Sequence, residues 1–183
     1  MMTNLAPGSQ LEMTRHATDE LRYAIADSTL GRVLIARSAK GVSAVLLGDD
    51  DDALRTDVAR RFPHATLVDD PQDLAADTTR VIALIDSPHR SVDVRLDLRG
   101  SAFQRRVWDA LREIPPGVTE TYTDIAQRLG MPNAARAVAR ACATNPVAVL
   151  VPCHRVVRRD GDLSGYRWGL ERKRALLERE QVA

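Results

Sequence analysis

Cys153 and His154, adjacent near the end of the chain, are the residues whose types most invite chemistry. A thiolate is the strongest side-chain nucleophile at neutral pH, and a neighbouring base or positive charge eases its formation. On a plain strand, neighbouring side chains point to opposite faces, so His154 needs a turn or a water to reach the sulfur. Pro152 interrupts regular strand pairing and makes a turn available. The plainer reading is a buried, inert thiol, and Cys142, lying mid-helix among alanines, fits that description. Only two cysteines occur, which excludes a disulfide framework and a four-cysteine zinc site. The zinc spacings are absent around Cys142, Cys153 and His154, and His16, His64 and His89 stand alone, so neither metal nor cofactor is expected.

A second feature is the segment from Asn133 to Cys142. Val138 and Cys142 lie four apart and can face a core, while Arg136 and Arg140 share another face beside Ala134, Ala135 and Ala137. Small side chains let a helix approach a surface closely, and a DNA minor groove only about 6 Å wide suits such a face carrying arginine. An alanine-rich surface helix that binds nothing fits equally, since Ala and Arg are good helix formers. A third feature, Ser164 to Gly169, brackets Tyr166, Arg167 and Trp168 with glycines. It reads as a loop lining a flat pocket or as a tight turn with Trp168 in the core. Glu180, at the end of the last helix, reads as a solvated carboxylate.

The elements that must position these residues are legible in outline. Up to about Glu20 the chain is small and polar, a tail without apolar period. Strands are expected over 21–27, 32–37 and 42–47. A helix follows, its start favoured by Asp49–Asp52 and its end set near Phe62 by Pro63. A second helix over 72–86 and a strand over 92–98 complete an α/β half. Ser101 caps a helix with Phe103, Val107, Trp108, Leu111 and Ile114 on one face. A short helix capped by Thr123, a turn at Gly130 and a helix from Asn133 to about Thr144 form a helix-turn-helix candidate. An apolar strand over 147–151 and a final amphipathic helix over 170–180 end the chain.

The 183 residues are 44% hydrophobic and 28% charged, enough for a real core. No apolar run approaches the roughly 18 residues of a membrane span. With no secretory pattern and only two cysteines, a reduced cytoplasmic setting is expected. The formal net charge of +1 hides an asymmetry: −4 over residues 1–100 and +5 over 101–183. Such a split is a hint of a nucleic-acid-facing segment, although surface charge is often only solvation.

The run from Asn145 to Val157, centred on Pro152-Cys153-His154-Arg155, resembles the active-site signature of the O6-alkylguanine-DNA alkyltransferases (methylated-DNA–protein-cysteine methyltransferases). The Ala134–Val138 helix, Tyr122 and the 164–169 loop follow in that family's order. The similarity extends from roughly Leu21 to Glu180. Details such as Leu47–Asp51 and Gly165–Gly169 are most like the C-terminal half of its bacterial adaptive-response members.

The resemblance implies that Cys153 takes the alkyl group from guanine O6 irreversibly, so that each molecule acts once. It implies that Glu180 holds His154, which deprotonates Cys153 through a water, and that Tyr122 donates to guanine N3. Asn145 would fix the turn joining the DNA-binding helix to the active site. Arg136 would fill the space of a base flipped from the duplex through the minor groove, with Arg140 near phosphate. The carbonyls of Cys153 and Val156 would accept from the guanine amino group, the Arg167 amide would face O6, and Tyr166 would form a wall. Trp168 stands where vertebrate relatives carry a small residue, implying a tighter pocket that favours methyl over benzyl adducts.

The implied fold is a small α/β domain (21–99) packed on a mostly helical domain (100–183) with a helix-turn-helix and an active-site loop. The implied partner is double-stranded DNA containing O6-alkylguanine, bound by a monomer. The methyl-phosphotriester domain of the full adaptive-response protein is not among these residues, which counts against a transcription regulator. Cys153 counts against a non-catalytic lesion binder. A cysteine hydrolase lacks any oxyanion motif.

Overall fold

The computed structural model describes residues 19–163 and 165–181; of the tail expected up to about Glu20, residues 1–18 lie outside the described residues, as does Ser164. Strands β1 (Asp19–Ser28), β2 (Gly31–Ser38) and β3 (Gly41–Gly48) form an antiparallel meander. Asp19 and Glu20 thus belong to β1, two residues before the strand expected from Leu21. Asp50 caps α1 (Asp51–Arg61) by accepting from the Ala53 amide, as the acidic run predicts.

A fourth strand, β4 (Ala65–Asp69), pairs parallel with β1 and gives the sheet order β3-β2-β1-β4. Its five residues between Pro63 and Pro71 are too few to show a period. Helix α2 (Ala75–Asp86) follows. The strand expected over 92–98 is a correction: only Leu96 forms a bridge, parallel to Val42, with the Val42 amide donating to the Arg95 carbonyl at 2.8 Å.

The second half is mainly helical. Ser101 and Gln104 form a reciprocal capping box on α3 (Ala102–Arg112), whose Trp108 indole donates to the Ala141 carbonyl at 3.0 Å. Thr121, not Thr123, caps α4 (Tyr122–Arg128), because it is Asp124 at the third helical position that returns the bond. Helix α5 (Ala135–Ala143) begins two residues after the expected Asn133. Two-residue strands β5 (Glu120–Thr121) and β6 (Val156–Val157) pair in parallel, and α6 (Leu170–Gln181) closes the described chain.

The strand expected over 147–151 is also corrected. Only Val147 bridges, to Val45 of β3, and Val149 takes φ 68°, costly for a β-branched residue. The run is apolar because it is buried within the core, not because it is laddered: Val147, Ala148, Val149 and Val151 are all buried. The Val45 amide donates to Pro146 and its carbonyl accepts from Ala148, both at 2.9 Å, so the first half's edge strand seats this turn. One contiguous apolar core runs from β2 and β3 through α3 and α5 to Leu176 of α6.

Candidate active site

Asn145 organises the turn that carries the thiol. Fully buried, it receives the Val147 amide on Oδ1 at 2.9 Å, while Nδ2 donates to the Val151 carbonyl at 2.9 Å and to Cys153 Sγ at 3.2 Å. These bonds compensate a backbone twisted enough to hold Val149 in the left-handed region. The chain then enters a single 3-10 turn, Cys153–Arg155, which replaces the strand geometry that would separate Cys153 from His154.

Helix α6 supplies the opposing groups. Lys173, Leu176 and Glu180 fall three and four residues apart on one buried face. Glu180 Oε1 meets His154 Nε2 at 2.8 Å and accepts from Arg155 Nε at 3.0 Å and Nη2 at 2.9 Å. Its Oε2 accepts from the Gly117 amide at 3.2 Å. Gly117 has φ 79°, and a side chain there would press on the Glu180 carbonyl, so the Pro115-Pro116-Gly117 turn needs its glycine. Arg155 also donates to the Ile114 carbonyl at 2.5 Å. Lys173 Nζ donates to the Val156 carbonyl at 2.6 Å.

The electrostatics define proton positions. Burial alone would raise the Glu180 carboxyl, but the hydrogen bonds from His154 and Arg155 hold it down at about 2. An ionised carboxylate only accepts, which places the imidazole proton on Nε2. Burial pushes the His154 value down, more than Glu180 raises it, so the ring is neutral at pH 7. Its Nδ1 is then an unprotonated base, buried and without a partner among the described residues. Burial pushes the Cys153 thiol up to about 11, against the opposing pull of the Asn145 donor and the Lys173 charge. Cys142 is raised further, chiefly by burial, the behaviour expected of an inert thiol.

Tyr122 is brought to the site by the β5–β6 pair, which sets Thr121 opposite Val157, just beyond the cysteine turn. Burial, then Cys142 and Cys153, raise its phenol above 10, so it stays a donor. Gly165, at φ 83°, faces the Tyr122 hydroxyl, which a Cβ at that position would meet at 3.6 Å. Tyr166 packs edge-on to His154, with centroids 6.5 Å apart, and to Trp168 at 5.3 Å. Both rings are buried and join the contiguous apolar core. The Arg167 side chain reaches away to Asp57 of α1 at 2.9 Å. Val156 contributes its carbonyl, already holding one donor; the Cys153 carbonyl accepts from the Val156 amide.

On α5, Arg136, Ala137 and Arg140 are exposed and Ala134 and Ala135 half-buried, while Val138, Ala141 and Cys142 face the core. Neither arginine has an ion-pair partner among the described residues. The structure therefore gathers Cys153, His154, Asn145, Glu180, Tyr122 and Tyr166 into one site and sets the α5 arginines on a separate face. Sequence reasoning gave no role to Arg155 or Lys173. Lys173 was findable, since it shares an inward face with Leu176 and Glu180. Among the described residues no group of three or more His, Cys, Asp or Glu could hold a metal, and no helix is long and apolar enough to cross a membrane.

Residues 102–182 match the family model described as the 6-O-methylguanine DNA methyltransferase DNA-binding domain. An inducible methylated-DNA–protein-cysteine methyltransferase of Bacillus subtilis is 41% identical over 124 residues, 68% of this chain and 69% of its own length. This chain belongs to the O6-methylguanine-DNA methyltransferase family. A crystal structure of Mycobacterium tuberculosis OGT in complex with DNA, 38% identical, matches over 88% of this chain and 93% of its own, with a TM-score of 0.75. The bifunctional transcriptional activator/DNA repair enzyme Ada of Escherichia coli is 48% identical over 177 residues. This family member covers 94% of itself in that match but spans only 49% of the length of Ada. The small mixed sheet followed by a helical part is the architecture shared with the mycobacterial family member.

Proposed function

We propose that this chain repairs duplex DNA by direct reversal, moving the methyl group of O6-methylguanine onto Cys153 in one irreversible turnover. The observation that carries the reading is the polarised chain Glu180–His154, with Nδ1 free, next to a thiol that Asn145 holds by its sulfur. A thiol raised to about 11 is protonated at pH 7, so attack requires a base, and His154 is neutral and able to serve. The Cys153 proton passes to His154, through a bridging water as the family resemblance implies. The S–C bond forms as the C–O6 bond breaks, and O6 keeps the electron pair as the purine carbonyl. Tyr122 donates to N3, so that the purine leaves neutral, and the Arg167 amide faces O6. Acceptors for the guanine amino group are the Cys153 and Val156 carbonyls, each with one lone pair left beyond its present bond. The thioether has no leaving route, so the protein is consumed.

A stacked base cannot present O6 to a buried thiol and must be flipped, at a cost of a few kcal/mol that is least for a badly paired lesion. Helices α4 and α5 act as a helix-turn-helix whose Ala134, Ala135 and Ala137 face lies in the minor groove. Arg136 occupies the vacated stack and Arg140 contacts phosphate. The domain boundary lies near Gly100, and the protein works as a monomer in the reduced cytoplasm. Tyr166 and Trp168 narrow the pocket toward methyl over benzyl adducts, and O4-methylthymine is a secondary substrate.

The test is incubation with methylated duplex followed by mass spectrometry of the peptides. One added methyl on Cys153, absent in Cys153→Ser, is the expected result. Tight binding with no transfer would instead identify a lesion-binding protein.

A further inference from the structure

Asp57 on α1 lies far from the cysteine in sequence yet reaches the segment that packs beside it. Its Oδ1 accepts from Arg60 Nη2 at 2.6 Å and from Arg167 Nη2 at 2.9 Å, and its Oδ2 accepts from Arg61 Nε at 3.1 Å. Arg60 and Arg61 lie three and four residues on along the same helix, so α1 can satisfy this carboxylate by itself. The bond to Arg167 is additional, and it spans 110 residues.

Arg167 sits between Tyr166 and Trp168, and the three are flanked by Gly165 and Gly169 at φ 83° and 98°. Two left-handed glycines give this segment backbone freedom, and besides the burial of Tyr166 and Trp168 two polar contacts from outside hold it. One hold is at its end, where Arg172 donates to the Trp168 carbonyl at 2.9 Å and to the Leu30 carbonyl at 2.8 Å and pairs with Asp49. The other is Asp57, at its centre.

We propose that Asp57 is a positioning residue for alkyl transfer: by gripping the Arg167 guanidinium, α1 fixes the 165–169 segment, the Tyr166 ring against His154 and the Arg167 amide toward guanine O6. The inference rests on the reading of Cys153 as the alkyl acceptor. It gives the first half of the chain a direct part in setting the site, beyond seating the cysteine turn on β3. The contact is partly open to solvent, with Arg167 30% and Asp57 22% exposed, so its loss should loosen the segment without unfolding the protein.

The experiment combines single-turnover transfer from O6-methylguanine duplex with hydrogen exchange of the 165–169 amides, in Asp57→Asn, Arg167→Gln, Asp57→Glu and Arg60→Gln. Asp57→Asn and Arg167→Gln should each lower the maximal transfer rate about fivefold, with the half-saturating DNA concentration within about twofold and faster exchange over 165–169. Asp57→Glu, which keeps the carboxylate, should recover most of the rate. Arg60→Gln, which cuts a bond to the same Oδ1 inside α1, should change neither reading. Unchanged rate and exchange in Asp57→Asn and Arg167→Gln would overturn the proposal. So would an equal loss in Arg60→Gln, which would mark a general weakening of α1. If the unaltered protein transfers no methyl, the reading of Cys153 fails, and the exchange rates still decide separately whether Asp57 holds the segment.

Discussion

Around Cys153, Glu180 is buried and matched by His154 and Arg155, whereas on α5 two arginines stand in solvent with no ion-pair partner among the described residues. Glu180 is 2% exposed and receives His154, both forks of Arg155 and a backbone amide. Arg136 and Arg140 lie on a nine-residue helix that contains no acidic residue at all. Helix α1 shows that this is not the habit of the molecule: its Arg55, Arg60 and Arg61 are tied to Asp52 and Asp57 one turn away. Desolvation explains the first arrangement, because an unmatched buried ion costs several kcal/mol. The second is cheap in water and leaves positive charge available to a polyanion at a distance, subject to screening by salt. One region holds its charges by short-range pairing and the other exposes them to long-range fields.

Removing the matched carboxylate should have the largest effect. Glu180→Ala leaves Arg155 buried and uncompensated and should cost about 3–5 kcal/mol in urea denaturation, with methyl transfer lost. The same cluster predicts acid sensitivity. The Glu180 carboxyl falls from 4.5 to about 2 on folding, so its stabilisation is present above about pH 4.5 and is lost as pH falls toward 2. The folded His154 value is also below 6.5, so the unfolded chain gains that proton first and stability declines from about pH 6.5 downward. A thermal midpoint that stays flat from pH 7 to pH 3 would break the contrast with α5. Transfer should fall over the acid side too, because a protonated His154 accepts nothing.

Asn145→Ala should rank next. It strips the Val147 amide of its acceptor, removes a donor from the Val151 carbonyl and leaves the sulfur without its donor, costing about 1–3 kcal/mol. The thiol should titrate still higher, measured by pH-dependent alkylation with iodoacetamide. Replacing Arg136 and Arg140 together with alanine should leave stability within about 0.5 kcal/mol and weaken duplex binding about tenfold. The slope of log affinity against log salt should fall by almost 2 if both arginines contact phosphate, and by about 1 if Arg136 enters the stack instead. Arg60→Ala, on the neutralised α1, should change duplex affinity least of all, within about twofold. Equal losses from Arg60 and Arg140 would erase the distinction between the α1 and α5 faces.

Much of the frame is readable without coordinates, for reasons that differ by element. The β1–β3 meander, α1, α3 and α5 follow from local pattern: apolar runs cut by glycine, Asp50 and Ser101 as caps, and apolar faces at helical spacing. Strand β4 is not local, since its pairing with β1 joins residues 46 apart and nothing within Ala65–Asp69 announces it. The 147–151 run misleads because burial on all sides and strand pairing leave the same apolar signature in sequence. At the site, motif residues supply the participants, yet Arg155 looks like an ordinary surface cation until Glu180 of α6 is brought against it, and Lys173 shows only in its spacing from Leu176 and Glu180.

Residue identity by itself determined which atoms are available: one thiol beside a histidine, a carboxylate at the end of the last helix, and an alanine face bearing two arginines. Spacing along single helices also determined that Val138 and Cys142 face away from Arg136 and Arg140. Tertiary structure alone decided that Glu180 is buried, that its proton-free carboxylate fixes the His154 tautomer, and that Asn145 points at the sulfur. It also decided that α1 reaches the segment beside the cysteine through Asp57. The physical reason is common to these points. Propensity and periodicity act over a few residues, while desolvation and charge pairing depend on what is brought near from elsewhere in the chain.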